Sequence, residues 1–155
     1  MSSNLIFNPA PLAWRLSQDG EVQLRLTKLL QADTSPWGVP AYLFDIVLDE
    51  ARAGALSLRI GDSSCALFYA GHVGYAVFED FRGRGLARTA VMAVMPLAVE
   101  HGLSPLWFTC EPQNAASIKT IESLGAVLVE TVDLPATYDS YARGERQKRR
   151  YRLDP

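Results

Sequence analysis

Six consecutive residues, Arg82-Gly83-Arg84-Gly85-Leu86-Ala87, carry the densest chemical signal in this chain. The glycines let the backbone pass close to a ligand, and Arg82, Arg84 and Arg88 add positive charge around it. The apolar-patterned stretch 85–101 that follows reads as a helix, with Leu86, Val91, Val94, Met95 and Ala98 on its apolar positions and Gly102 as its stop. Pro96 inside it predicts a kink or an early ending. The unpaired N–H groups of the first turn, and the positive end of the helix dipole, point into the glycine turn. An anion suits such a place, and a diphosphate suits it best. A solvated Gly-rich turn has the same composition, so the flanking elements must decide.

The elements that position this turn can be read in order. Residues 72–78 form a buried strand leading into an acidic turn at Glu79 and Asp80. Upstream, 12–16 and 21–30 flank Ser17-Gln18-Asp19-Gly20 as a hairpin, with Val22, Leu24 and Leu26 alternating against Gln23, Arg25 and Thr27. Residues 31–40, with Asp33, Pro36, Gly38 and Pro40, read as a loop in which Trp37 is either a core plug or a wall of a ligand site. The runs 42–48 and 53–60 form a second hairpin around 49–52, with Asp45 on a solvated face. Residues 65–70 lead into the strand at 72. Downstream come a short strand 106–110, a helix 115–124 capped by Asn114 and ended by Gly125, and a strand 126–132. Residues 134–144 read as loop and 145–153 as a last strand. Residues 1–11 read as a loosely held lead-in. The result is one α/β (α+β) domain over 1–155. It has a mixed, mostly antiparallel sheet of about six or seven strands and two main helices, with parallel strands around the first helix.

Composition narrows the function. With 155 residues, 48% hydrophobic and 21% charged, the chain can bury a core of its own. A net charge of −2 gives no push toward nucleic acid or anionic membrane. No apolar run is long enough to span a bilayer and the N-terminus lacks a signal-peptide shape, so a cytoplasmic protein is expected. Cys65 and Cys110 have neither a CxxC partner nor a nearby histidine pair, so neither a disulfide framework nor a metal site is expected.

The pattern resembles the GNAT superfamily of acyl-CoA N-acyltransferases over about 45–155, most densely over 71–129. Its signature, Arg or Gln, two residues, Gly, one residue, Gly or Ala, stands here as residues 82–87. A second landmark is Asn114-Ala115-Ala116-Ser117 opening a helix that ends Leu124-Gly125, after the strand Trp107-Phe108-Thr109-Cys110. Gly71-His72-Val73-Gly74-Tyr75 and the C-terminal Arg-Arg-Tyr resemble a bacterial branch of predicted acetyltransferases.

The resemblance implies acetyl transfer from acetyl-CoA, without a metal, to a primary amine of a small molecule or peptide. Arg82, Gly83, Arg84, Gly85, Leu86, Ala87 and Arg88 would hold the coenzyme A diphosphate. Val77 and Phe78 would pair with the pantetheine arm, which Asn114 and Ser117 would also meet. A backbone N–H near Phe78 would face the thioester carbonyl oxygen. His72 is the leading general base and Glu111 the alternate, with Asp45 and Glu79 behind them.

Two features depart from the family. Its thiol-protonating tyrosine position holds Ile121, with Tyr75, Tyr138 and Tyr141 as candidate substitutes from elsewhere, and the helices that wall the acceptor side have no room in 31–40. The acceptor side is then open, covered by the N-terminal hairpin, or completed by a partner subunit in a homodimer. A non-catalytic acyl-CoA-binding domain is the competing class. The basic residues Arg143, Arg146, Lys148, Arg149, Arg150 and Arg152 suit an exposed edge strand that resists aggregation, or an acidic partner.

Overall fold

The computed structural model describes residues 12–16 and 20–155. The expected lead-in 1–11 and the turn residues Ser17, Gln18 and Asp19 lie outside them. Five antiparallel strands form one sheet in sequence order: β1 (Leu12–Leu16), β2 (Gly20–Leu30), β3 (Ala41–Leu48), β4 (Ala51–Arg59) and β5 (Val73–Val77). Three more, β6 (Leu106–Cys110), β7 (Val127–Asp133) and β8 (Gln147–Leu153), form a second sheet in the order β6-β8-β7. Both expected hairpins are present. In the second, Asp49 and Glu50 both take left-handed backbone (φ 50° and 65°), as a tight two-residue hairpin turn demands.

Helix α1 (Leu86–Glu100) covers one face of the large sheet. Its buried Leu86, Ala90, Val91, Val94 and Leu97 share a core with Phe44, Ile46, Leu56, Leu58 and Val73. Each such aliphatic side chain contributes roughly 1.5–3 kcal/mol by leaving water. The helix runs unbroken through Pro96, where a kink or early ending was expected. Pro96 is exposed, so the carbonyl that loses its partner is on the side water can reach. At the helix end, the Tyr42 hydroxyl meets His101 Nε2 at 2.7 Å and ties α1 to β3.

Helix α2 (Ala115–Ser123) starts at Asn114, whose Oδ1 accepts from the Ser117 N–H at 3.1 Å. Two stretches read as irregular are ordered turns: 65–70 is a π-helical turn, and α3 (Asp139–Ala142) lies within 134–144. Residues 31–40 contain turns and no helix. The face of the large sheet away from α1 therefore carries the residues that alternate with the core: Leu43, Asp45, Ala55, Ser57, Arg59, Gly74 and Ala76. There Asp45 pairs with Arg52 at 2.7 Å.

The last strand is not an edge. β8 sits between β6 and β7, and the basic residues are used one at a time. Arg150, 5% exposed, pairs with Glu130, donates to the Leu67 carbonyl at 3.0 Å and is stacked between Phe68 and Trp107. Lys148 pairs with Glu145 and Arg152 with Asp154. The edges of this sheet are β6 and β7, and on β7 Val127, Leu128 and Val129 are exposed. Among the described residues, no helix is long and apolar enough to cross a membrane, and no cluster of three metal-binding side chains occurs.

Candidate active site

Hydrogen bonds between His72 and Trp107 join the two sheets. The His72 N–H donates to the Trp107 carbonyl at 2.8 Å, and the Trp107 N–H donates to His72 Nδ1 at 3.0 Å. The remaining ring nitrogen, Nε2, then carries the proton and faces Asp62 Oδ1 at 3.1 Å. His72 is 1% exposed, and its burial holds its pKa below the ordinary imidazole value despite Asp62. Both nitrogens of the leading base candidate are thus engaged: Nδ1 joins the start of β5 to β6, and Nε2 meets Asp62 in the loop after β4.

Beyond this junction β5 and β6 belong to separate sheets, which leaves a cleft between two unpaired strand edges. The Phe78 N–H donates to the Ala53 carbonyl on β4 at 2.8 Å, so it points into the sheet rather than into the cleft. By antiparallel alternation, the cleft-facing amides of β5 are those of Val73, Tyr75 and Val77. The expected N–H near Phe78 is therefore one position away, on Val77. The Phe78 ring is half exposed beneath the Arg52 guanidinium.

At the far end of β5 a short 3₁₀ turn (Glu79–Phe81) delivers the chain to the glycine pair. Gly83 and Gly85 have φ of 80° and 73°, and nothing lies within 4 Å of where a Cβ would stand on either. Their left-handed backbone and the open space above them are what close approach of a ligand requires. Arg82, Arg84 and Arg88 are exposed around this opening, and Leu86 anchors the helix start in the core. Arg82 Nε also donates to the Val77 carbonyl at 3.1 Å, which links the turn to the cleft edge.

Across the cleft, the Tyr75 hydroxyl meets Ser117 Oγ at 3.1 Å and bridges β5 to the first turn of α2. Burial pushes the Tyr75 pKa up. Asn114 is exposed beside this bridge, and Ile121 is in the core. Glu111 directly follows β6 and shares its surroundings with Glu145. Desolvation and the Glu145 carboxylate together push its pKa up. Hydrogen bonds thus link Val77 to Arg82 in the glycine turn, and Tyr75 to Ser117 in the first turn of α2, where Ser117 also donates its N–H to Asn114. His72 joins the start of β5 to β6, and Glu111 directly follows β6.

Asp62 and Trp107, which fix His72, escaped the sequence reading. Asp62 looked like an ordinary turn residue, and the partnership depends on a main-chain N–H that no side-chain pattern announces. Arg59 was also missed: it lies within the run 53–60, which reads as an ordinary strand.

Comparison with known proteins follows the same lines. The family model for the acetyltransferase (GNAT) domain matches residues 12–127. No curated protein sequence matches the chain. Among solved structures, the chain is similar to an acetyltransferase from Salmonella typhimurium that modifies the N-terminal serine of ribosomal protein L7/L12 (20% identity, 74% of this chain, 64% of that one, TM-score 0.57). It is similar to a ribosomal-protein-S5-alanine acetyltransferase from Vibrio fischeri (24%, 74% and 61%, TM-score 0.58). It is also similar to RimL, a ribosomal L7/L12 α-N-protein acetyltransferase in complex with coenzyme A (15%, 92% and 97%, TM-score 0.64). In the first two the matched span is less than two thirds of the relative's own length. At these identities the likeness shows a shared fold.

Proposed function

Because the chain belongs to the acetyltransferase (GNAT) family, we propose that it is an N-acetyltransferase that uses acetyl-CoA to acetylate a primary amine of a small molecule or peptide. The observation that carries this reading is the cleft between β5 and β6, which runs from the His72–Trp107 junction to the glycine pair at 83 and 85.

The residues present suit coenzyme A. The first-turn N–H groups of α1, the open space over Gly83 and Gly85, and the exposed Arg82, Arg84 and Arg88 suit its phosphates. The unpaired β5 edge, with the Val77 main chain and the Asn114 and Ser117 side chains nearby, suits an extended arm carrying amides. Bound acetyl-CoA supplies an activated acetyl group as a thioester. The chain's own part is to orient that group, donate from the Val77 N–H on the cleft edge, and take a proton from the amine.

In this reading His72 is a positioning residue, because both ring nitrogens are committed. Glu111 is the proton acceptor, supported by its place after β6 and its raised pKa. A homodimer joined at the exposed apolar edge of β7 belongs to the same reading. Mass-spectrometric detection of acetylated products across an amine panel that includes ribosomal N-terminal peptides tests it. Acetyl-CoA binding with no product from any amine would leave an acyl-CoA-binding domain in its place.

A further inference from the structure

Among the described residues two arginines are buried, and their surroundings differ. Arg150 has a carboxylate partner, Glu130, and stacks between two rings. Arg59, at the end of β4 and 7% exposed, has none: among the described residues no Asp or Glu oxygen lies within 4.0 Å of it. Its Nη1 donates to the carbonyls of Ala70 and Gly71 at 2.9 and 3.1 Å, while its buried Nε has no partner. Desolvation lowers its pKa to about 10. A guanidinium taken from water without a counter-ion costs several kcal/mol, so such a charge is retained where something on the protein or its ligand answers it.

The surroundings of Arg59 point to a ligand. Its guanidinium lies 4.2 Å from the Trp37 ring centroid, and Tyr138 and Cys65 lie close enough to act on its charge. Against β5 it fits so closely that a Cβ on Gly74 would stand 2.5 Å from Nη2. It therefore occupies the sheet face away from α1, one residue along β5 from Tyr75 and three from Val77. That is about 3–10 Å along an extended strand from the edge where the amine would react.

Building on the acetyltransferase reading, we propose that Arg59 receives a carboxylate carried by the acceptor, so that the acceptor is an amino acid or a similarly short amino-carboxylate. The Nε and Nη2 edge of the guanidinium is the fork that binds a carboxylate through two parallel hydrogen bonds. Entry displaces the Trp37 ring from its place over the guanidinium. The Trp37 main chain is held by Ser35 Oγ, which accepts from its N–H, and by Ser63 Oγ, which donates to its carbonyl, while the indole itself is only half-buried.

Amino acids compared with their carboxamides, at matched free-amine concentration, test this. Wild type is expected to favour the acid by ~10-fold or more in kcat/KM, the range of a charge-assisted hydrogen-bonded pair. The preference is expected to collapse in Arg59→Gln and to be intermediate in Arg59→Lys, which keeps the charge and loses the fork. Coenzyme A affinity is expected to be unchanged in both. Equal use of acid and amide by wild type, or a preference that survives both substitutions, would overturn the proposal and leave the acetyltransferase reading intact. If no amine is acetylated, that reading fails separately, and calorimetric titration with N-acetylglycine decides the site. Heat with wild type that is lost in Arg59→Gln supports it; no heat with wild type, or equal heat with Arg59→Gln, overturns it.

Discussion

The imidazole of His72 stands in for a missing strand bond: its Nδ1 accepts from the Trp107 N–H at 3.0 Å, while the His72 N–H donates to the Trp107 carbonyl at 2.8 Å. The pair ends one sheet and begins the next, and the cleft opens from there. Replacing His72 with Phe leaves the Trp107 N–H unsatisfied, so stability is expected to fall by about 1–3 kcal/mol. Urea unfolding measures it.

The same histidine sets a pH dependence with a definite sign. Its folded-state pKa lies below the ordinary 6.5 because burial disfavours the imidazolium. The unfolded chain therefore binds the proton more readily. This contribution to stability is present in full above about pH 6.5 and is lost as pH falls from there through the folded-state pKa. Unfolding free energies at pH 7.5 and 5.0 are expected to differ more in wild type than in His72→Phe.

Gly71 makes the junction sterically possible. Its φ is 77°, and a Cβ there would stand 2.8 Å from the Trp107 carbonyl oxygen. Gly71→Ala combines left-handed strain with a main-chain clash, so a loss of about 1–3 kcal/mol is expected from thermal or urea unfolding. Gly83→Ala has the strain without the clash and is expected to cost about 1 kcal/mol.

Much of this was legible in advance, and the limits are instructive. The strand, the glycine turn, α1 and the Asn114 cap are local: their residues announce them through periodicity, glycine placement and capping chemistry. The role of β8 was misread because charged residues on both faces of a strand look like a solvent edge. Nothing local reveals that Arg150 finds Glu130 on one side and two aromatic rings around it. The role of His72 depends on Asp62 and on the Trp107 main chain. Its residue type suggested titration, and its surroundings bury it.

Glu111 offers a test of the proton path. The Glu145 carboxylate beside it is one of the two causes that raise its pKa. A base acts when deprotonated, so activity falls as pH drops through that pKa. Glu145→Gln removes the repelling charge, and the acid limb of the kcat/KM profile is expected to move to lower pH. Glu111→Gln is expected to lower kcat about 10²-fold or more.

The central claim is that coenzyme A sits over the glycine pair at the start of α1. Calorimetric titration of coenzyme A into wild type and Gly85→Glu tests it most directly. A side chain at Gly85 meets nothing within 4 Å and carries only left-handed strain of about 1–2 kcal/mol, so the variant is expected to fold while its carboxylate repels the phosphates from the space they need. Saturable binding to wild type is expected, with an affinity at least ~100-fold weaker in the variant. Equal affinity in the two proteins, or no binding to wild type, would contradict it.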